Sequence, residues 1–121
     1  MPYKIAYEKE NKYILIIVEG DFALPMLKNL AADVARYIEQ HGCNRILNDM
    51  RQAKLTKGTI DIYNMPKIAS ASGIDTHCKR ALVVSEHSSD FHFLETVFIN
   101  QGHNVKMFTD IEEAMSWLLN K

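Results

Sequence analysis

Tyr13-Ile14-Leu15-Ile16-Ile17-Val18 is an unbroken run of β-branched and large apolar side chains between Lys12 and Glu19. A strand that faces water on one side alternates polar with apolar residues. An unbroken run suits a strand covered on both faces, as in sheets sandwiched between helices. Just upstream, Tyr3, Ile5 and Tyr7 alternate with Lys4, Ala6 and Glu8, the period of a half-buried strand. The polar stretch Glu8-Lys9-Glu10-Asn11-Lys12 between them reads as a turn. The chain therefore begins with an antiparallel hairpin whose second strand is the buried one.

Downstream the period changes. Gly20-Asp21 is read as the end of the strand. From Leu24, the residues Leu27, Leu30, Ala31, Val34, Ala35 and Ile38 recur at three and four positions and form one helical stripe. Pro25 fits the first turn, where its missing N–H removes no helical bond, and Gly42 is a natural stop. Arg45 to Met50 reads as a short strand. Thr59 to about Ser72 reads as a helix closed by Gly73, with Pro66 either kinking it or marking a late start, and Asp61 as a cap. Arg80-Ala81-Leu82-Val83-Val84-Ser85 is a buried strand. Ser88, Ser89 and Asp90 are cap residues for a helix carried by Phe91, Leu94, Val97 and Phe98, and Gly102 follows it. Val105 to Phe108 is the last strand. Thr109-Asp110-Ile111-Glu112 has the form of a capping box for a final helix burying Ile111, Ala114, Met115, Leu118 and Leu119, with Trp117 at its flank.

The order is strand, strand, then helix and strand in alternation, ending on a helix. It predicts an α/β fold: a five-stranded mixed sheet with an N-terminal antiparallel hairpin, then parallel strands joined by right-handed crossovers, and four helices. The 121 residues read as one domain, 1–121, without linker, repeat or low-complexity segment.

Composition narrows the function classes. The 14 basic and 15 acidic residues leave a net charge of −1, and no basic stripe appears, so nucleic-acid binding is not expected. The N-terminus is too polar for a signal peptide. The longest apolar run is far short of the roughly 20 residues of a membrane span. Cytoplasmic location without membrane insertion is expected, with Cys43 and Cys78 as buried free thiols.

Several stretches together resemble the STAS superfamily, whose members include anti-sigma-factor antagonists and sulfate-transporter tails. The nearest likeness is to its stand-alone bacterial SpoIIAA-like (STAS/Sec14-like) branch. They are Arg45-Ile-Leu-Asn-Asp-Met-Arg51, Asp61-Ile-Tyr-Asn-Met-Pro66, Arg80-Ala-Leu-Val-Val-Ser85, Phe91-His-Phe-Leu-Glu-Thr96 and Phe108-Thr-Asp-Ile-Glu-Glu-Ala-Met-Ser-Trp-Leu118. The resemblance implies a mixed sheet with helices, cytoplasmic location and a binding role. One departure stands out. Antagonists of that family carry an Asp-Ser pair whose serine a partner kinase phosphorylates; here the region reads Ala53-Lys-Leu-Thr-Lys-Gly-Thr59.

Thr56 and Thr59 are the hydroxyls that remain beside an expected helix start, where free N–H groups favour an anion. They are the candidates for a phospho-switch; the simpler reading is that one of them caps the helix. Asn48, Asp49 and Arg51 follow one strand, and Ser85, Glu86 and His87 follow another. Ligands of open α/β sheets bind outside the carboxyl ends of the strands, so these six residues are a candidate ligand or partner cleft, against a plain role in loops. His87, Asp90, His92 and His103 lack the spacing of a zinc motif, and Ser85 lacks the glycine-flanked elbow of a nucleophilic serine. No metal, cofactor or catalytic residue is assigned. Met26, Met50, Met65, Met107 and Met115, with Phe91, Phe93 and Phe98, would suit an adaptable apolar pocket, although ordinary core packing explains them as well.

The leading expectation is a non-enzymatic binding or regulatory module acting through a protein partner or self-association. The alternative is a carrier or sensor of a small apolar or lipid-like ligand. An enzyme built on Asp49, Ser85 and His87 ranks last.

Overall fold

The computed structural model describes residues 3–21, 24–54, 65–74, 77–86 and 89–120, the side chains of Asp21, Leu24, Pro25, Ser89 and Asp90 excepted. β1 (Tyr3–Glu8) and β2 (Tyr13–Asp21) form the hairpin, antiparallel with Tyr3 opposite Val18 and Glu8 opposite Tyr13. The turn closes through Lys12 in the left-handed region, at φ 56°. There follow α1 (Leu24–His41), β3 (Arg45–Lys54), α2 (Met65–Ser72), β4 (Lys79–Val83), α3 (Ser89–Asn100), β5 (Asn104–Phe108) and α4 (Ile111–Leu119). The strands lie in sequence order, β1-β2-β3-β4-β5, and every pair after the hairpin is parallel.

That order fixes where the helices go. Each crossover moves one strand further in the same direction. Right-handed connections then place α1, α2 and α3 on one face of the sheet. α4, which follows the last strand, covers the other face.

Strand alternation supplies both cores. Ile14, Ile16 and Val18 of β2 face α1–α3 and are buried, together with Ile46 and Met50 of β3, Leu82 and Val84 at β4, and Val105 and Met107 of β5. The intervening residues Leu47, Ala81 and Val83 meet Ala114 and Leu118 of α4, with Tyr13 and Leu15 packed beside them. The covering of β2 on both faces is thus real but unequal: fully closed towards α1–α3, half-closed towards α4.

Two local expectations are corrected. β2 does not stop at Gly20-Asp21. It runs on beside β3, which itself extends past Met50 to Lys54, so that Glu19 pairs with Gln52 and Asp21 with Lys54. The register slips by one between Ile17–Asp49 and Glu19–Gln52, which puts the extra residue of a bulge in β3 at Met50-Arg51. Gly20, at φ 78°, follows that distortion where a side chain would resist it. The described helix α2 covers Met65–Ser72 with Pro66 at its second position, and residues 59–64 of the expected helix, Asp61 among them, lie outside the described residues. The N-cap of α4 is Asp110, not Thr109. Its backbone is extended and its carboxylate accepts from the N–H of Glu112 at 3.0 Å.

Candidate functional site

The strand-end residues do not converge as a set. Asn48 and Asp49 are neighbours on β3 and therefore point to opposite faces. Asp49 is closed off by Arg51. The Nε of Arg51 donates to Oδ1 at 2.9 Å and its Nη2 to Oδ2 at 2.8 Å, while the Arg51 backbone N–H reaches Oδ1 at 3.2 Å. The bulge lets the arginine fold back onto a residue two positions earlier. The Arg51 hydrogen bonds hold the Asp49 carboxyl below the usual carboxylate range, against the opposing effect of burial. Ser85 and Glu86 are exposed beyond β4, after Val84, whose N–H donates to the Phe108 carbonyl at 2.9 Å. His87, Thr56 and Thr59 lie outside the described residues.

Asn48 instead enters the space between the sheet and α1–α3. A cavity of about 70 Å³ lies there, bounded by Leu27, Leu30 and Val34 of α1, Met65 and Ala69 of α2, and Leu94 and Phe98 of α3, over Ile16, Ile46, Met50 and Leu82 of the sheet. Among the described lining residues only Asn48 and Arg80 are polar.

Arg80 is the residue the sequence reading missed. It stands on β4 in phase with Leu82 and Val84, so the pleat that buries them also buries it, at 9% exposure. Neither Nε nor Nη2 has a hydrogen-bond partner among the described residues. The guanidinium lies over the Phe98 ring at 4.3 Å, a cation–π contact that repays part of its lost hydration. Burial brings its pKa down to about 10, with Cys78 acting weakly the other way, so it remains a cation at neutral pH. The signal was in the sequence: a charge inside an apolar strand, at the parity of its buried residues.

Other titratable groups are engaged locally. His103 is buried with its ring edge-on to Phe98 at 5.2 Å and its Nε2 3.3 Å from the Ser70 hydroxyl. Glu95 accepts from the N–H of Met107 at 2.6 Å, and its other oxygen is 3.8 Å from His92. Cys43 and Cys78 are both buried thiols that are not joined in a disulfide. Among the described residues no group of three His, Cys, Asp or Glu side chains could hold a metal, and no helix is long and apolar enough to cross a membrane.

No protein-family profile matches the chain, and no curated protein matches it. Solved structures do. The anti-sigma factor antagonist SpoIIAA in its unphosphorylated form superposes with a TM-score of 0.60 at 11% identity, over 98% of this chain and 99% of that one. An uncharacterized DUF3478-family protein with a SpoIIAA-like fold, from Shewanella loihica PV-4, superposes with a TM-score of 0.63 at 16% identity, over 96% of this chain and 91% of that one. The chain therefore has the SpoIIAA-like α/β fold, as its sequence pattern implied.

Proposed function

We propose that this chain is a non-catalytic binding module that carries or senses a small ligand with an apolar body, held between the sheet and α1–α3. The cavity carries the reading: about 70 Å³ of space with an almost wholly apolar lining, in an interior that ordinarily packs without voids. The occupation of both Asp49 oxygens by Arg51 also speaks against a free general base at the end of β3. Native mass spectrometry of the purified protein, joined to a titration with small apolar solutes followed by methyl NMR, tests it. Shifts confined to Met50, Leu82 and Val105 support a ligand site. An unresponsive set of cavity methyls at saturating solute removes it.

A second reading draws on the fold shared with an anti-sigma factor antagonist: a regulatory module acting through protein contacts. Sedimentation and pull-down address it directly. Thr56 and Thr59 remain its phospho-switch candidates, and partner binding that is equal in Thr59→Asp and Thr59→Ala would remove the switch.

A further inference from the structure

Within the cavity, the open hydrogen-bonding edge of Arg80 is the feature that selects a ligand. Nε–H and Nη2–H of an arginine are parallel donors on one side of the guanidinium, spaced to meet the two oxygens of a carboxylate. The protein itself shows that fit: the same edge of Arg51 is filled by Asp49, at 2.9 and 2.8 Å. On Arg80 the same two groups are unpartnered among the described residues, in a side chain only 9% exposed.

Asn48 stands beside it. β3 and β4 pair Ile46 with Arg80 and Asn48 with Leu82, so Asn48 and Arg80 are diagonal neighbours on the same face of the sheet. Both line the cavity, and its remaining described lining is apolar. One charged anchor, one amide and an apolar wall make up the recognition surface.

We propose that the cavity is a receptor for a small monocarboxylate, its carboxylate seated on the Nε–Nη2 edge of Arg80 beside Asn48 and its short apolar body against Met50, Leu82 and Phe98. The assignment rests on the reading of the cavity as a ligand site and adds the chemistry of its occupant. Size sets the length of the body. A cavity of about 150 Å³ takes benzene, so about 70 Å³ takes roughly three non-hydrogen atoms, the carboxylate head itself, and only a short body lies beyond it in the open side of the pocket. Charge sets the head. A single buried cation neutralises one carboxylate, whereas a phosphate monoester brings a second charge to a wall with no second described cation.

The test titrates the intact protein with acetate, butyrate, hexanoate, butyramide and methyl phosphate. Binding is read by NMR on the Arg80 Nε–H and on the cavity methyls. Butyrate is expected to bind at least tenfold more tightly than butyramide and than acetate, moving the Arg80 Nε–H downfield. Arg80→Met is expected to abolish the preference for butyrate over butyramide. Arg80→Lys, which keeps the charge and loses the paired donors, is expected to weaken butyrate binding. The wild-type comparison of butyrate with butyramide stands without any variant. Equal affinity for the two, or tighter binding of methyl phosphate, overturns the carboxylate assignment and leaves the apolar site intact. Acetate binding as tightly as butyrate overturns the role of the apolar body. Failure of every solute overturns both this inference and the ligand-site reading on which it rests.

Discussion

Replacing Arg80 with methionine separates what the residue does for folding from what it does for binding. The guanidinium is buried with Nε and Nη2 unpartnered among the described residues. Each unsatisfied polar group of this kind costs about 1–3 kcal/mol, and more when it is charged. Against that stands the contact with the Phe98 face at 4.3 Å, worth about 2 kcal/mol when desolvated. Methionine keeps the apolar stem but vacates the space of the guanidinium. At about 24 cal/mol per Å³, an added void of roughly 40 Å³ subtracts about 1 kcal/mol. With two such groups relieved, the sum runs from about 1 kcal/mol against Arg80→Met to about 3 kcal/mol in its favour, and its favourable part matches what is seen when buried charges are exchanged for apolar side chains. Urea denaturation measures it, and calorimetry should show the melting temperature shifting by roughly 3–5 °C per kcal/mol for a domain of this size. A saturating carboxylate should shift the balance back towards the wild type. A ligand at one hundred times its Kd stabilises the wild type by about 2.7 kcal/mol and would leave the variant where it was. A loss of more than about 1 kcal/mol in Arg80→Met without ligand would refute the reasoning, because it would mean that the guanidinium already has its partners.

Further outcomes follow from other contacts. Asp49→Asn should cost about 1 kcal/mol at neutral pH, a value held down because Arg51 is 42% exposed and its charge is screened. The Asp49 carboxyl lies below its ordinary value of 3.8 in the folded protein, so its contribution is complete above about pH 4 and fades as the pH falls through the native value. Urea midpoints of wild type and Asp49→Asn should therefore converge in acid, and a constant gap down to pH 2 would contradict this. Leu118→Ala opens a void where α4 meets Leu47 and Val83 and should cost about 2–5 kcal/mol by urea denaturation. Gly73→Ala places a side chain at φ +111° with its Cβ 3.4 Å from that of Ala35, and should cost about 1 kcal/mol or more; a neutral result would mean that the end of α2 adjusts freely.

Strand and helix identities were legible because two periods dominate the chain. Ile14, Ile16 and Val18 set one face of β2, and Leu27, Leu30, Ala31 and Val34 set the stripe of α1, each by simple spacing. Boundaries were less legible where a partner decides them. Gly20-Asp21 looks like a stop in isolation, yet β3 runs alongside and supplies the pairing that carries β2 on. The end of β3 depends in turn on a bulge at Met50-Arg51 that no local propensity announces. At α4, Thr109 and Asp110 both suit a cap, and the geometry of one peptide chose Asp110.

The candidate site was legible in its ingredients but not in its geometry. Grouping residues at strand tips put Asn48 with Asp49, although a strand must send them to opposite faces. That pleat gives Asp49 to Arg51 on one side and leaves Asn48 with Arg80 on the other. In sequence Arg80 reads only as the first residue of a buried strand, and it also diverges from its neighbour Lys79. Lys79 turns to the α4 side, where its Nζ lies over the Trp117 ring at 4.5 Å and donates to the Asn120 carbonyl at 3.0 Å, tying down the end of that helix. Lys79 thus has an evident structural task, and Arg80 has none that its described surroundings complete. A charge that a core must carry, at a position where leucine or methionine would pack, violates local consistency, and such violations concentrate at functional sites. Arg51 has an acceptor for the Nε–Nη2 edge of its guanidinium in Asp49; Arg80 has none among the described residues, and the proposed carboxylate would supply it.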